Sequence, residues 1–303
     1  MIELLRIGTR GSPLALAQAR MVAEALRETH HWGPERIEIV PMTTTGDAIH
    51  DRPLAEVGGK GLWTKELDRA LLDGVTDSSV HSMKDVETVR PAELRIAAML
   101  RRADVRDRLV GADSIEALPE GARVGTSSPR RAAQLLRRRP DLAIVPFRGN
   151  VQTRLRKLGM GEADATLLAA AGLDRLDHPE IGVPLDGLLP APAQGAIGIE
   201  LLASNRRLRP LIEAIDHRET RACVDAERRL LEGLGGSCRS PVAALATMEG
   251  GDIRLRAEIL TADGHDCSDL DTRFPADDYD APLTLARELL RTASPALREL
   301  FAG

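Results

Sequence analysis

The chain has 303 residues, a formal charge of −5 and 43% hydrophobic residues. That is enough length for two or three domains and enough apolar content to exclude bulk disorder. Six aromatic residues are too few for a base-stacking platform on single-stranded nucleic acid, and the mildly acidic sum argues against a general nucleic-acid binder. The 41 basic residues comprise 37 Arg and only four Lys: Lys60, Lys65, Lys84 and Lys157. No apolar run approaches the ~18 residues of a membrane span. The start lacks a basic segment followed by an apolar one, as a signal peptide would have. Cys223, Cys238 and Cys267 make an odd set with no CxxC pair, so neither a disulfide framework nor a zinc site is expected. The expected compartment is the cytoplasm.

Taken in chain order, the first two-thirds alternate short apolar runs with amphipathic stretches. Leu4–Gly8 reads as a strand. Ser12-Pro13 then opens a helix to about Thr29, with Ser as N-cap and Pro in the first turn. Arg36–Pro41 is a second strand, followed by a loop rich in Thr, Gly and Asp. Gly58-Gly59-Lys60-Gly61 leads to a helix over about Thr64–Asp73; it lacks the spacing of a phosphate-binding P-loop. Ser78–His81 is a short buried strand ending in Ser82-Met83-Lys84-Asp85. This alternation predicts βαβ units. From Glu258 onward the chain turns acidic, with ten acids against four bases, around a strand at Ile253–Leu260 and a helix near Leu283–Leu290. That pattern suits a small α+β domain.

A local device occurs twice. Gly8-Thr9 with Ser12-Pro13 is echoed by Gly125-Thr126 with Ser128-Pro129, each as strand, Gly-Thr turn, Ser-Pro cap and helix. The echo suggests two similar α/β lobes. The second copy opens a basic window, Arg123–Lys157, with ten bases and one acid. Arg137–Arg139 fall near a helix C-terminus, where cations suit the dipole. Arg130 and Arg131 fall in the first turn, where cations oppose the dipole by about 0.3–1 kcal/mol each and free N–H groups favour anions. An anionic ligand would reconcile them. Arg10, Arg148 and Arg154 add guanidinium groups suited to carboxylates or phosphates.

Two residues carry chemistry. Asp85, with Lys84 beside it, follows a strand end, where α/β sheets bind ligands; the plainer alternative is a turn Asp beside a surface Lys. Cys238 sits in Gly235-Gly236-Ser237-Cys238-Arg239, where small neighbours and an adjacent cation favour a thiolate nucleophile. An inert free Cys is the more common outcome for such a residue. Cys223 is expected to be packed in a helix, Cys267 to lie in an acidic loop, and His81 to be a buried structural residue.

Together these segments resemble the porphobilinogen deaminase (hydroxymethylbilane synthase) family. The matching stretches are Arg6–Ala19, Val57–Lys65, Val80–Val86 (VHSMKDV), Val124–Arg131, Arg148–Leu155 (RGNVQTRL), Ala169–Leu176, Ala191–Glu200 and Cys238–Pro241, in the family's order. The resemblance implies an α/β protein with two periplasmic-binding-protein-like lobes and a small α+β C-terminal domain. The expected boundaries are 1–100 with 196–218 for lobe 1, 101–195 for lobe 2 and 219–303 for the cofactor-carrying domain. It implies stepwise condensation of four porphobilinogen molecules, with loss of ammonia, on a dipyrromethane primer, then hydrolytic release of hydroxymethylbilane. Cys238 matches the thioether attachment site and Asp85 the catalytic acid, whose ionised form would stabilise an azafulvene cation. Ser82, Lys84, Thr126, Ser128, Arg130, Arg131, Arg154 and Gln194 match cofactor-binding positions. Arg10, Ser12, Lys60, Arg148, Arg154 and Arg175 match substrate-binding ones. No metal, nucleic acid or membrane is implied, and the expected state is a monomer. Glu56 stands where many relatives have Lys, Trp63 where Phe is common, Pro129 where Leu is common and Ser237 where Gly is frequent.

Two other readings use the same residues. A non-catalytic carboxylate binder would suit the Arg cluster but leaves Cys238 and Asp85 without a task. A nucleic-acid binder using residues 123–157 runs against the acidic remainder of the chain and the scarcity of aromatics.

Overall fold

The computed structural model describes residues 3–44, 63–237 and 240–301. The chain runs β1 (Leu5–Arg10), α1 (Pro13–His30), β2 (Ile37–Met42), α2 (Lys65–Leu72), β3 (Ser78–Ser82) and β4 (Leu94–Met99). It continues through β5 (Asp107–Val110), β6 (Arg123–Gly125), α3 (Pro129–Arg138), β7 (Ala143–Val145), α4 (Val151–Gly159), β8 (Ala165–Ala169), α5 (Ala170–Asp174) and β9 (Val183–Leu185). Then come β10 (Ile197–Leu202), α6 (Arg209–Glu213) and α7 (Arg218–Gly233). The chain closes with β11 (Val242–Glu249), β12 (Asp252–Leu260), β13 (Cys267–Pro275), α8 (Ala281–Thr292) and α9 (Pro295–Leu300). Contacts divide it into two units, Met1–Ala103 with Gly195–Arg221, and Asp104–Gln194 with Ala222–Gly303.

In the first unit a five-stranded sheet has the order β2-β1-β3-β10-β4. β2, β1 and β3 are parallel, and β10 is antiparallel to both its neighbours. Leu5 and Ile7 of β1 point into the core, met by Ala19, Val22, Ala23 and Leu26 from one face of α1. That spacing of three and four is what an amphipathic helix needs to cover a sheet. Ser12 caps α1 as expected, its Oγ accepting the Ala15 N–H at 3.3 Å.

The second unit contains the order β7-β6-β8-β5-β9, with β7, β6 and β8 parallel and β5 antiparallel to its neighbours. Order and directions therefore repeat those of the first sheet. The short echo seen in the sequence extends to the whole topology. In each sheet the reversed strand is the first one the chain forms on entering that unit (β5) or returning to it (β10). Ser128 repeats the cap, its Oγ accepting the Arg131 N–H at 3.4 Å. The shared glycines also have a packing reason: a Cβ on Gly125 would collide with the Phe147 ring, and one on Gly8 would lie 3.2 Å from Thr76 Cγ2.

A third sheet, the antiparallel meander β11-β12-β13, also belongs to the second unit and has its own core. In β12, Ile253, Leu255, Ala257 and Ile259 are buried while Arg254, Arg256 and Glu258 alternate with them, the period of a strand with one face covered. The cover comes from α7, α8 and α9, through residues such as Leu230, Leu289 and Leu297. Cys223 packs in α7 as expected. Cys267 is the first residue of β13 rather than part of a loop. Burial and the nearby Glu258 push its thiol up to about 11, so it is held protonated at neutrality. No helix among the described residues is long and apolar enough to cross a membrane.

Candidate active site

In the first unit the carboxyl ends of β1 and β3 and the first turns of α1 surround a pocket that is partly open to solvent. Arg10, Ser12, Ser82 and Asp85 line it, as expected of side chains at the carboxyl ends of parallel strands. Trp63 forms another wall, with the Arg10 guanidinium 4.0 Å from the centre of its ring. Such stacking supports an arginine without consuming its in-plane donors. Gln18 and His81 also line the pocket; neither was singled out for the site from sequence.

Asp85 closes a 3-10 turn, Met83–Asp85, directly after β3. The turn is anchored by Met83, which is buried and donates its N–H to Ala196 O at 3.1 Å. Gly198 of β10 makes room for it, because a Cβ there would strike the Met83 sulfur. Lys84 occupies the same turn and is half-buried. Behind the pocket His81 Nε2 lies 3.2 Å from Glu200 Oε2. Burial pushes the Glu200 carboxyl up, but His81 and Arg90 outweigh it and hold it down at about 2.

The second unit gathers the other group of expected residues. Arg130 and Arg131 sit at the start of α3 and are buried, not solvated. Asp107 of β5 takes both: Arg130 Nη2 donates to Oδ2 at 2.8 Å, and Arg131 Nη2 donates to Oδ1 at 2.6 Å. Burial alone would raise the Asp107 carboxyl; the two guanidinium charges overcome it and hold it well below the usual carboxylate range. The sequence argument called for an external anion at this helix start, and the fold supplies an internal one. Glu258 extends the network: it acts on Arg130 and accepts from Gln134, whose Oε1 accepts from Arg130 Nη1 at 2.8 Å. Arg130 Nε is also buried without a hydrogen-bond partner.

Gln194, buried just before the chain leaves the unit, donates Nε2 to Asp107 Oδ1 at 2.9 Å and to Val105 O at 2.8 Å. Thr126 Oγ1 accepts the Ser128 N–H at 3.1 Å, shaping the turn into α3. The Arg148-Gly149-Asn150 motif is legible atom by atom. Gly149 adopts φ +111, a backbone that side chains avoid. Asn150 Oδ1 caps α4 by accepting the Thr153 N–H at 2.9 Å, and Arg154 Nε donates to Gly149 O at 3.0 Å. Arg148 Nη1 is buried without a partner. Arg175 follows α5; burial lowers it to about 10, against the pull of Asp174. Lys60 and Cys238 lie outside the described residues. Sequence reasoning missed Asp107, Arg90 and Glu200, which carry no local signature.

One family model, described as "Porphobilinogen deaminase, dipyromethane cofactor binding domain", matches residues 5–210; another, "Porphobilinogen deaminase, C-terminal domain", matches residues 221–291. The chain belongs to the porphobilinogen deaminase family. Within the family, the porphobilinogen deaminase of Sphingopyxis alaskensis is 56% identical over 98% of this chain and 96% of its own length. That of Paracoccus denitrificans is 49% identical over 96% and 95%. Among solved structures, immunogenic lipoprotein A from Vibrio vulnificus aligns with a TM-score of 0.44 at 14% identity, covering 71% of this chain and 96% of that one.

The residues fit the dipyrromethane group that the family's domain is named for. Such a group is rich in carboxylates. The second unit offers buried guanidinium groups on Arg130 and Arg131 and an Arg148 Nη1 that is buried without an acceptor. A guanidinium N–H left unsatisfied when buried is costly, and a ligand carboxylate removes that cost.

Proposed function

We propose that the chain condenses four porphobilinogen molecules, each with loss of ammonia, on a dipyrromethane bound through a thioether to Cys238, and that water then releases the linear tetrapyrrole as hydroxymethylbilane. When bound, that group supplies the pyrrole carbon from which the product grows. The chain's own residues do the rest. Arg10 and Ser12 hold the incoming porphobilinogen, Arg10 by its carboxylates, with Arg148, Arg154, Arg175 and Lys60 serving the same substrate carboxylates. Ser82, Lys84, Thr126, Ser128, Arg130, Arg131, Arg154 and Gln194 hold the dipyrromethane. Loss of ammonia from the substrate leaves a cation delocalised into its pyrrole ring. Asp85 stabilises that cation and orients the ring by accepting its N–H, an electrostatic role that a preorganised carboxylate performs without rearrangement.

The observation that carries this reading is the meeting of Asp85, Ser82, Ser12 and Arg10 around one pocket in a chain of this family. The proposed domains are residues 1–100 with 196–218, residues 101–195 and residues 219–303. The working form is a cytoplasmic monomer. The deciding experiment is the intact mass of the denatured protein. We expect a mass above that of the polypeptide by one dipyrrole, absent in Cys238→Ala. Active protein with an unmodified mass would overturn the assignment of Cys238.

A further inference from the structure

The segment that carries Ser82, Lys84 and Asp85 runs between two residues, His81 and Arg90, that meet one carboxylate. Glu200, fully buried in β10, meets His81 at the segment's start, Oε2 to Nε2 at 3.2 Å. At the segment's end the same carboxylate accepts two bonds from Arg90: Nε to Oε1 at 2.9 Å and Nη2 to Oε2 at 2.7 Å. Arg90 turns its remaining donors outward. Nη1 reaches Glu87 at 2.6 Å and Thr64 Oγ1 at 3.4 Å, and Nη2 reaches Asp68 of α2. The Thr64 hydroxyl in turn donates to the Glu87 carboxylate at 2.9 Å. Thr64 and His81 both line the pocket beside Asp85.

One guanidinium thus links β10, α2, the pocket wall and the far end of the Asp85 segment. Its side chain is only 9% exposed. Three carboxylates around one guanidinium is a poor way to gain stability, since apolar side chains would fill the volume at less desolvation cost. It is a good way to fix a direction, because the planar fork accepts bidentate partners in few geometries. We propose that Arg90, acting through Glu200 and Glu87, is a positioning residue that holds Asp85 at the pocket. The claim rests on the role given to Asp85 above.

A misplacement of about 1 Å at a reacting group costs on the order of a hundredfold in rate. Arg90→Gln, purified with its dipyrrole mass intact, is therefore expected to lose at least about tenfold in kcat while KM for porphobilinogen changes by less than about threefold. Arg90→Lys, which keeps the charge but not the fork, is expected to recover only part of the loss. Arg221→Gln is the control. It breaks a comparable pair with Asp216 in the same unit, at 2.8 Å, without touching the Asp85 segment, and should lower stability but leave kcat near the parent value. A folded, loaded Arg90→Gln with kcat within about twofold of the parent overturns the proposal, as does an equal loss in Arg221→Gln. If Arg90→Gln does not fold, Glu87→Gln decides. It removes the charge that Arg90 Nη1 and the Thr64 hydroxyl both meet while leaving the Arg90–Glu200 pair in place, and is expected to lower kcat severalfold at constant KM; a parent-like kcat there overturns the proposal. A parent chain without the dipyrrole mass and without turnover of porphobilinogen would instead remove the functional reading itself.

Discussion

The two five-stranded sheets share order, strand directions and a Ser-Pro helix cap, yet their buried ion networks are built around opposite centres. In the first unit Asp68, Glu87 and Glu200 surround the single guanidinium of Arg90, so anions are in excess. In the second, the Asp107 carboxylate is the centre, held by Arg130 and Arg131, with Glu258 acting on Arg130 from further off. A common scaffold thus carries an arginine ringed by carboxylates in one unit and a carboxylate held by two arginines in the other. The first network puts anions beside the pocket that Asp85 lines. The difference teaches that in this molecule the topology places a site and the ion network beneath it decides what the site tolerates.

The comparison can be broken most sharply at Asp85. Asp85→Asn keeps the size but removes the anion, so turnover should fall by about a hundredfold or more with the melting temperature little changed. Steady-state assays beside thermal melts test this, and a folded Asn variant with ordinary turnover would show that the negative polarity of the first unit is not catalytic. At Asp107 the expected effect is on stability. Asp107→Asn leaves two buried guanidinium groups without their anion and should cost about 3–5 kcal/mol in urea unfolding.

Acid probes the first unit's network more gently. Glu200 is held at about 2 in the folded chain against an ordinary 4.5. A depressed carboxyl stabilises the fold fully above its unfolded value, and that share is lost as pH falls from 4.5 towards 2. Glu200→Gln should therefore show a shallower loss of melting temperature over that window than the parent. The smallest effect tests what the units share. Ser12→Ala and Ser128→Ala each remove one side-chain cap and should each cost about 1 kcal/mol in chemical unfolding. Clearly unequal costs would mean that the two caps are not equivalent.

Much of this was legible in the sequence because it is local. Ser12 and Ser128 cap helices through bonds spanning three residues, and Asn150 does the same. Asp85 was reachable because it directly follows a strand that reads as buried. The ion networks were not legible. Asp107 meets its partners 23 and 24 residues away, and Arg90 meets Glu200 across 110. Only the tertiary packing of helix and loop against strand brings such residues together, and no spacing rule announces it. The dipole argument did mark Arg130 and Arg131 as anomalous. It looked for the compensating anion outside the chain, when one lay on β5. The late strands β11 and β13 escaped for a related reason. β13 alternates Asp, Leu, Asp, Thr and Arg with little apolar content, and becomes a strand chiefly by pairing with β12.

The stacking of Arg10 on Trp63 has an optical side. The chain has two tryptophans. Trp32 stacks on His30 just past the end of α1, 4.8 Å between ring centres, while Trp63 stands beside the helix's opening turn. An 18-residue helix is about 27 Å long, so one indole looks into the pocket and the other serves as a distant reference. Any ligand that draws the Arg10 guanidinium off the Trp63 ring changes the field on that fluorophore alone, which makes the protein its own unlabelled dye for the filling of the site.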